Sequence, residues 1–152
     1  MIDNGAVADQ IIEYLRKELV LYESIYKLTV SQKESIRASD TDLLMGILNQ
    51  KQRYIQKIAL IQRSLVSVTG QWSAIKDSTA TARRTLIEDL TEKVKTRLYD
   101  IILLEKENMS LVQSRKEVLE IKMQRNRAGK NTINQYLSGD KSNGALIMDR
   151  RL

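Results

Sequence analysis

Proline, cysteine, histidine and phenylalanine are all missing from the chain. Without proline, the strongest helix breaker, very long helices are permitted. Without cysteine there are no disulfides and no thiolate chemistry. Without histidine and cysteine the commonest general base, the commonest metal ligand and the best nucleophile are gone. Glycines are few, at positions 5, 46, 70, 129, 139 and 144, and the aromatic residues are one Trp and six Tyr. A core built from this mixture is therefore aliphatic. The longest unbroken aliphatic run, Ile101 to Leu104, is far short of the ~20 apolar residues that span a bilayer. The start, MIDNGAVADQ, lacks the basic-then-apolar order of a signal peptide. A soluble, cytoplasmic protein is the expectation.

What is present is 42% hydrophobic and 29% charged residues, arranged with helical period. Ile12, Leu15, Leu19, Tyr22 and Tyr26 recur at intervals of three and four and predict a first amphipathic helix from residue 6 to about 38. Glu13 with Lys17 and Glu23 with Lys27 add i,i+4 pairs. Ser39, Asp40, Thr41 and Asp42 then interrupt, and Ser39 or Asp40 is expected to cap a second helix. That helix carries a heptad seam: Ile47, Lys51, Tyr54, Ile58, Ile61, Leu65, Val68, Trp72 and Ile75, with Lys51 its polar break and Gly70 a candidate bend. KDSTATA, residues 76–82, is the second interruption, with Asp77 or Ser78 the expected cap.

A third helix is expected from about 81 to at least 123, with Ile87, Leu90, Val94, Ile101, Leu104, Leu111 and Val118 on one seam. At some 40 residues it would be roughly 60 Å long. Asn108 lies in this seam, either as a buried register device or rotated to its edge, and Arg97 and Arg115 are expected at the edge. The predicted fold is all-α: an elongated antiparallel three-helix bundle or coiled coil over residues 1–125. A basic C-terminal tail, 126–152, is flexible or helical and expected to be partly disordered in the free protein. Three helices leave one side of their seam open, so such a bundle either dimerises or offers that side to a partner.

No constellation in the sequence supports catalysis, and no cofactor or metal is expected. The carboxylate pairs Asp40/Asp42, Glu88/Asp89 and Glu105/Glu107 read as caps or solvated faces. Gly129-Lys130-Asn131 lacks the upstream glycine and strand of a phosphate loop. Charge is uneven: residues 1–114 hold 16 basic and 15 acidic side chains, and residues 115–152 hold 9 and 4. A basic tail could bind nucleic acid or a membrane surface, but only Tyr136 is at hand for base stacking and no nucleic-acid motif is visible.

The stretch ELVLYESIYKLTVSQKESIRASDTDLLMGILNQKQRYIQKI resembles the start of the flagellar FlgN-type export chaperones. The matching positions are Leu21, Tyr22, Leu28, Asp40, Leu43, Leu44, Leu48, Lys51 and Gln52. Glu107-Asn108 with Leu111 and Val112 is similar to the family's third helix, and Tyr136 with Gly139 to its tail. The resemblance spans roughly residues 10 to 140. It implies a chaperone that binds the C-terminal segments of hook–filament junction proteins (hook-associated proteins), keeps them soluble and unassembled, and passes them to the flagellar export gate. On that reading a client helix packs in a groove against Leu111, Val118, Leu119 and Ile121, with Leu137, Leu146 and Ile147 from the tail. Tyr136 would dock at the gate. The apolar run Ala145–Met148 has three explanations: a client anchor, a patch folding back on the bundle's open side, or an inert terminus. The alternatives to a chaperone are a homodimeric coiled-coil adaptor and, behind it, a basic-tail binder of nucleic acid or membrane.

Overall fold

The computed structural model describes residues 4–124. They form four α-helices and one short 3-10 turn, with no strand among the described residues. The helices are α1 (Asn4–Arg37), α2 (Thr41–Ile75), α3 (Thr81–Ser114) and α4 (Lys116–Met123). The all-α expectation holds. No helix among the described residues is long and apolar enough to cross a membrane.

The α1–α2 turn shows how a helix ends without glycine or proline. Asp40 N–H donates to Ser35 O (2.9 Å) and Ser39 N–H to Ile36 O (3.0 Å), the two bonds of a Schellman motif. The motif needs a left-handed residue, and Ser39 supplies it with φ 51. A side chain there costs about 1 kcal/mol relative to glycine. The next residue restarts the helix: Leu43 N–H donates to the Asp40 side chain at 3.1 Å. Of the two expected caps, Asp40 caps α2 and Ser39 closes α1.

The α2–α3 connection differs from expectation. Neither Asp77 nor Ser78 caps α3, whose N-cap is Ala80 with no side-chain bond. The Ser78 and Thr79 hydroxyls instead donate back to Ile75 O, at 3.0 and 2.8 Å, so they finish α2. α2 runs unbroken through Gly70. Glu23 is not the partner of Lys27. It accepts from Arg97 across the helix interface at 2.7 Å.

α1 packs closely against both α2 and α3, whereas the backbones of α2 and α3 keep further apart. α1 and α2 are antiparallel: Ile36 shares a cluster with Leu44, Ile25 with Ile55 and Ile58, Leu15 with Leu65. α1 and α3 are parallel. Asp9–Arg83, Glu23–Arg97 and Lys33–Glu107 are ion pairs 74 residues apart, and the Asn4–Ser78 hydrogen bond has the same offset. Exposed ion pairs are worth about 0–1 kcal/mol each, so this ladder specifies register more than stability. Arg97 also bonds Asp100 (3.4 Å) and lies 4.2 Å from the Tyr26 ring centroid. The hydrogen bond to Glu23 raises its pKa further, against the opposing effect of burial, so it stays charged.

Three aliphatic clusters fill the core in series. The first joins Ile11 and Leu15 to Leu65, Val68, Ile87 and Leu90; the second joins Tyr22 and Ile25 to Ile55, Ile58, Val94 and Ile101. The third, at the α1–α2 turn, joins Ile36 and Leu44 to Val112, Leu119 and Met123. Each fully buried Leu or Ile contributes about 1.5–3 kcal/mol.

Candidate functional site

The third helix does not run unbroken to residue 123. It ends at Ser114, and a short helix, α4, begins at Lys116. The Ser114 hydroxyl donates to Leu111 O (2.9 Å), and Arg115 N–H is shared between Leu111 O and Val112 O at 3.0 and 3.2 Å. Arg115 leaves helical geometry at φ −110, ψ 12. Periodicity alone could not reveal this, because the apolar spacing continues across the break: Leu111, Val112, Arg115, Val118, Leu119.

The break aims two cations at one residue. Arg115 Nε donates to Ser39 Oγ (3.1 Å), and Lys122 Nζ donates to Ser39 O (3.0 Å). Ser39 O lies just past the negative end of α1, so both charges sit where that dipole favours them. Together they tie the α1–α2 turn to α4.

α4 is apolar on two sides. Leu119 and Met123 point inward and are 1% and 2% exposed. Val118 and Ile121, three residues apart, point outward at 44% and 60% exposure. Leu111 is half-buried against the same cluster. The candidate residues therefore divide: Val118 and Ile121 present a surface, Leu111 borders it, and Leu119 belongs to the core beneath. Leu137, Leu146, Ile147 and Tyr136 lie outside the described residues, as do the tail 126–152 and Gly129-Lys130-Asn131.

Methionine gathers here. Met45, Met109 and Met123, all the methionines among the described residues, belong to or pack on the third cluster. Flexible, polarizable thioethers fill irregular space and adapt to changed neighbours, which branched aliphatics do poorly. This was a missed signal: the positions were plain in the sequence, but their convergence was not.

A polar layer isolates this end from the second cluster. Lys51 is buried, donates to Gln32 Oε1 (2.7 Å) and pairs with Glu105 of α3. Asn108, fully buried rather than at the seam edge, donates to Thr29 O at 3.1 Å. Among the described residues, Asn108 Oδ1 and Gln32 Nε2 have no hydrogen-bond partner. Glu105 reaches inward to Lys51 while Glu107 pairs with Lys33 on the surface, so the two acids do not form a shared site. No cluster of His, Cys, Asp or Glu among the described residues could hold a metal ion.

What the arrangement can do chemically is bind: it offers an apolar surface on a short helix, over an adaptable core. Comparison with curated proteins and with solved structures gives no match. The family described as FlgN protein matches residues 1–146, nearly the whole chain. The chain belongs to the FlgN family, a family of flagellar export chaperones rather than of enzymes.

Proposed function

We propose that the chain is a cytoplasmic flagellar export chaperone for hook–filament junction proteins. It takes the client's C-terminal segment as an amphipathic helix laid against the end of α3 and against α4. The observation that carries this reading is the two-sided apolar character of α4, with Leu119 and Met123 holding it down while Val118 and Ile121 face water. A short helix with an unsatisfied outer stripe is suited to helix-in-groove recognition. The Met-lined cluster beneath lets α4 adjust to clients of different sequence. Leu137, Leu146 and Ile147 would add anchors from the tail, and Tyr136 would serve docking at the export gate.

Calorimetric titration of purified hook–filament junction proteins, with and without their C-terminal segments, tests the reading. Binding should require that segment and change little with salt. Val118→Asp with Ile121→Asp should weaken it by about tenfold or more, because each apolar anchor contributes ~1.5–3 kcal/mol when buried. Full affinity in the double variant would remove α4 from the site. A folded chain that binds no client and has the solution mass of a dimer would favour the homodimeric adaptor.

A further inference from the structure

The charges of the described helices are not distributed alike. α1 carries five basic and five acidic side chains, and α3 carries six of each. α2 carries four basic residues and one acidic, Asp42 in its first turn, so from Leu43 to Ile75 it has no carboxylate. Lys51 is turned inward to Glu105. The other three, Arg53, Lys57 and Arg63, are exposed, and no ion pair engages them among the described residues. Lys57 lies over the Tyr54 ring at 5.6 Å.

Exposed apolar side chains accompany these cations: Leu60 falls between Lys57 and Arg63, and Val66 follows Arg63. Leu60 is 60% exposed and Val66 66%. Lys57, Leu60, Arg63 and Val66 follow one another at intervals of three, with Arg53 one turn before Lys57. Residues spaced by three form a continuous ridge on a helix surface, and such ridges pack into the grooves of a second helix. This ridge alternates cation and aliphatic as it winds about half-way round α2, with Leu60 and Arg63 at its centre and Lys57 and Val66 on its flanks.

We infer that the outer face of α2 docks an acidic amphipathic helix of another protein, with carboxylates meeting Arg53, Lys57 and Arg63 and apolar side chains covering Leu60 and Val66. Charge identifies the occupant. A second copy placed α2 to α2 would set like charges together. The chain's own residues 125–152, with six basic and two acidic side chains, have the wrong sign. A nucleic-acid backbone would engage the cations but leave Leu60 and Val66 uncovered, and the aromatic of this ridge, Tyr54, is half-buried against the second cluster with Lys57 over its ring. The face is separate from α4, so the inference does not rest on the client site.

The test is fluorescence anisotropy of a labelled synthetic peptide, a Leu-striped helix flanked by Glu, titrated with the full chain. Controls are the same peptide with Lys for every Glu, and an oligothymidine strand. The Glu peptide should bind, and the charge reversal Arg53→Glu, Lys57→Glu, Arg63→Glu should weaken it by about tenfold or more. Leu60→Asp should weaken it too, whereas Lys93→Glu, Lys95→Glu, Lys106→Glu on α3 should not. All these positions are exposed, and thermal melts would confirm folding. The neutral set Arg53→Gln, Lys57→Gln, Arg63→Gln should fall between wild type and reversal. Three results would each overturn the inference: no binding of the Glu peptide, equal binding by the α2 reversal, or tighter binding of oligothymidine that is indifferent to Leu60→Asp.

Discussion

At one end of the molecule, Ile11 and Leu15 of α1 are wholly buried among Leu65, Val68, Ile87 and Leu90, with side chains from three long helices closing around them. At the other end, Ile36 and Leu44 are covered by Val112, Leu119 and Met123, with α4 as part of the cover. The buried residues of the first cluster are aliphatic, and most are Val or Ile, which are stiff at χ1. The third is rich in methionine, roofed by the eight residues of α4 and cut off by the polar layer of Gln32, Lys51, Glu105 and Asn108. Both use the same α1–α2 hairpin. The difference teaches that one helical framework can carry a rigid end and an adaptable end, provided something polar interrupts the core between them.

The largest expected effect comes from breaking the divider. Lys51→Ala takes the cation from Glu105 and a donor from Gln32. Loss of one partner of a buried pair costs about 3–5 kcal/mol, and the lower figure applies because Glu105 reaches water. Urea denaturation should show that loss, and Lys51→Met with Glu105→Leu should recover most of it. A fully stable Lys51→Ala would mean that the layer divides nothing.

Cavities at the two ends sharpen the contrast. Leu15→Ala should cost about 2–5 kcal/mol in global stability, since the packing around it cannot collapse. Leu119→Ala should cost less in a global melt. It should instead speed hydrogen exchange of the α4 amides, as expected of a segment that opens on its own. Equal losses at both sites would make the molecule one cooperative unit and remove the distinction.

The smallest effect is a gain. Gly70 sits inside α2 at the aliphatic end and Gly46 inside α2 at the other, and a Cβ at either meets nothing within 4 Å. Gly70→Ala and Gly46→Ala should each stabilise by about 0.5–1 kcal/mol, read as a shift in urea midpoint. If the distal end opens separately, Gly46→Ala should also slow exchange there, and Gly70→Ala should not.

Much of this was legible in sequence because helices announce their buried face by period. Every member of the α2 seam, Lys51 included, is at least half-buried. The cap at Asp40 was legible too, because its chemistry is local. What escaped depended on geometry that spacing does not encode. The break at Arg115 lies where the three-and-four spacing of the seam continues, and its side chain is held by Ser39, 76 residues away in the chain. The α3 cap was misplaced because Ser78 and Thr79 can serve the helix behind them as readily as the one ahead. At the candidate site, spacing chose α4 but could not tell Leu119, which faces in, from Val118 and Ile121, which face out. Counting charge along the chain also hid the basic face of α2, because Asp40 and Asp77 just outside its ends offset its cations.

The constant offset of 74 residues between α1 and α3 bears on the order of assembly. α1 and α2 meet across a turn of a few residues, so their pairing needs little loop closure. Each α1–α3 pair must first close a loop of 74, and closure entropy grows with the logarithm of that length. The hairpin should form first and present α1 as a template on which α3 then aligns. Kinetics would reveal this sequence of events. Asp40→Ala, at the hairpin turn, should slow folding, whereas Val94→Ala, in α3, should chiefly speed unfolding. A chain leaving the ribosome would then have its template ready before the strand of residues that completes the core has been made.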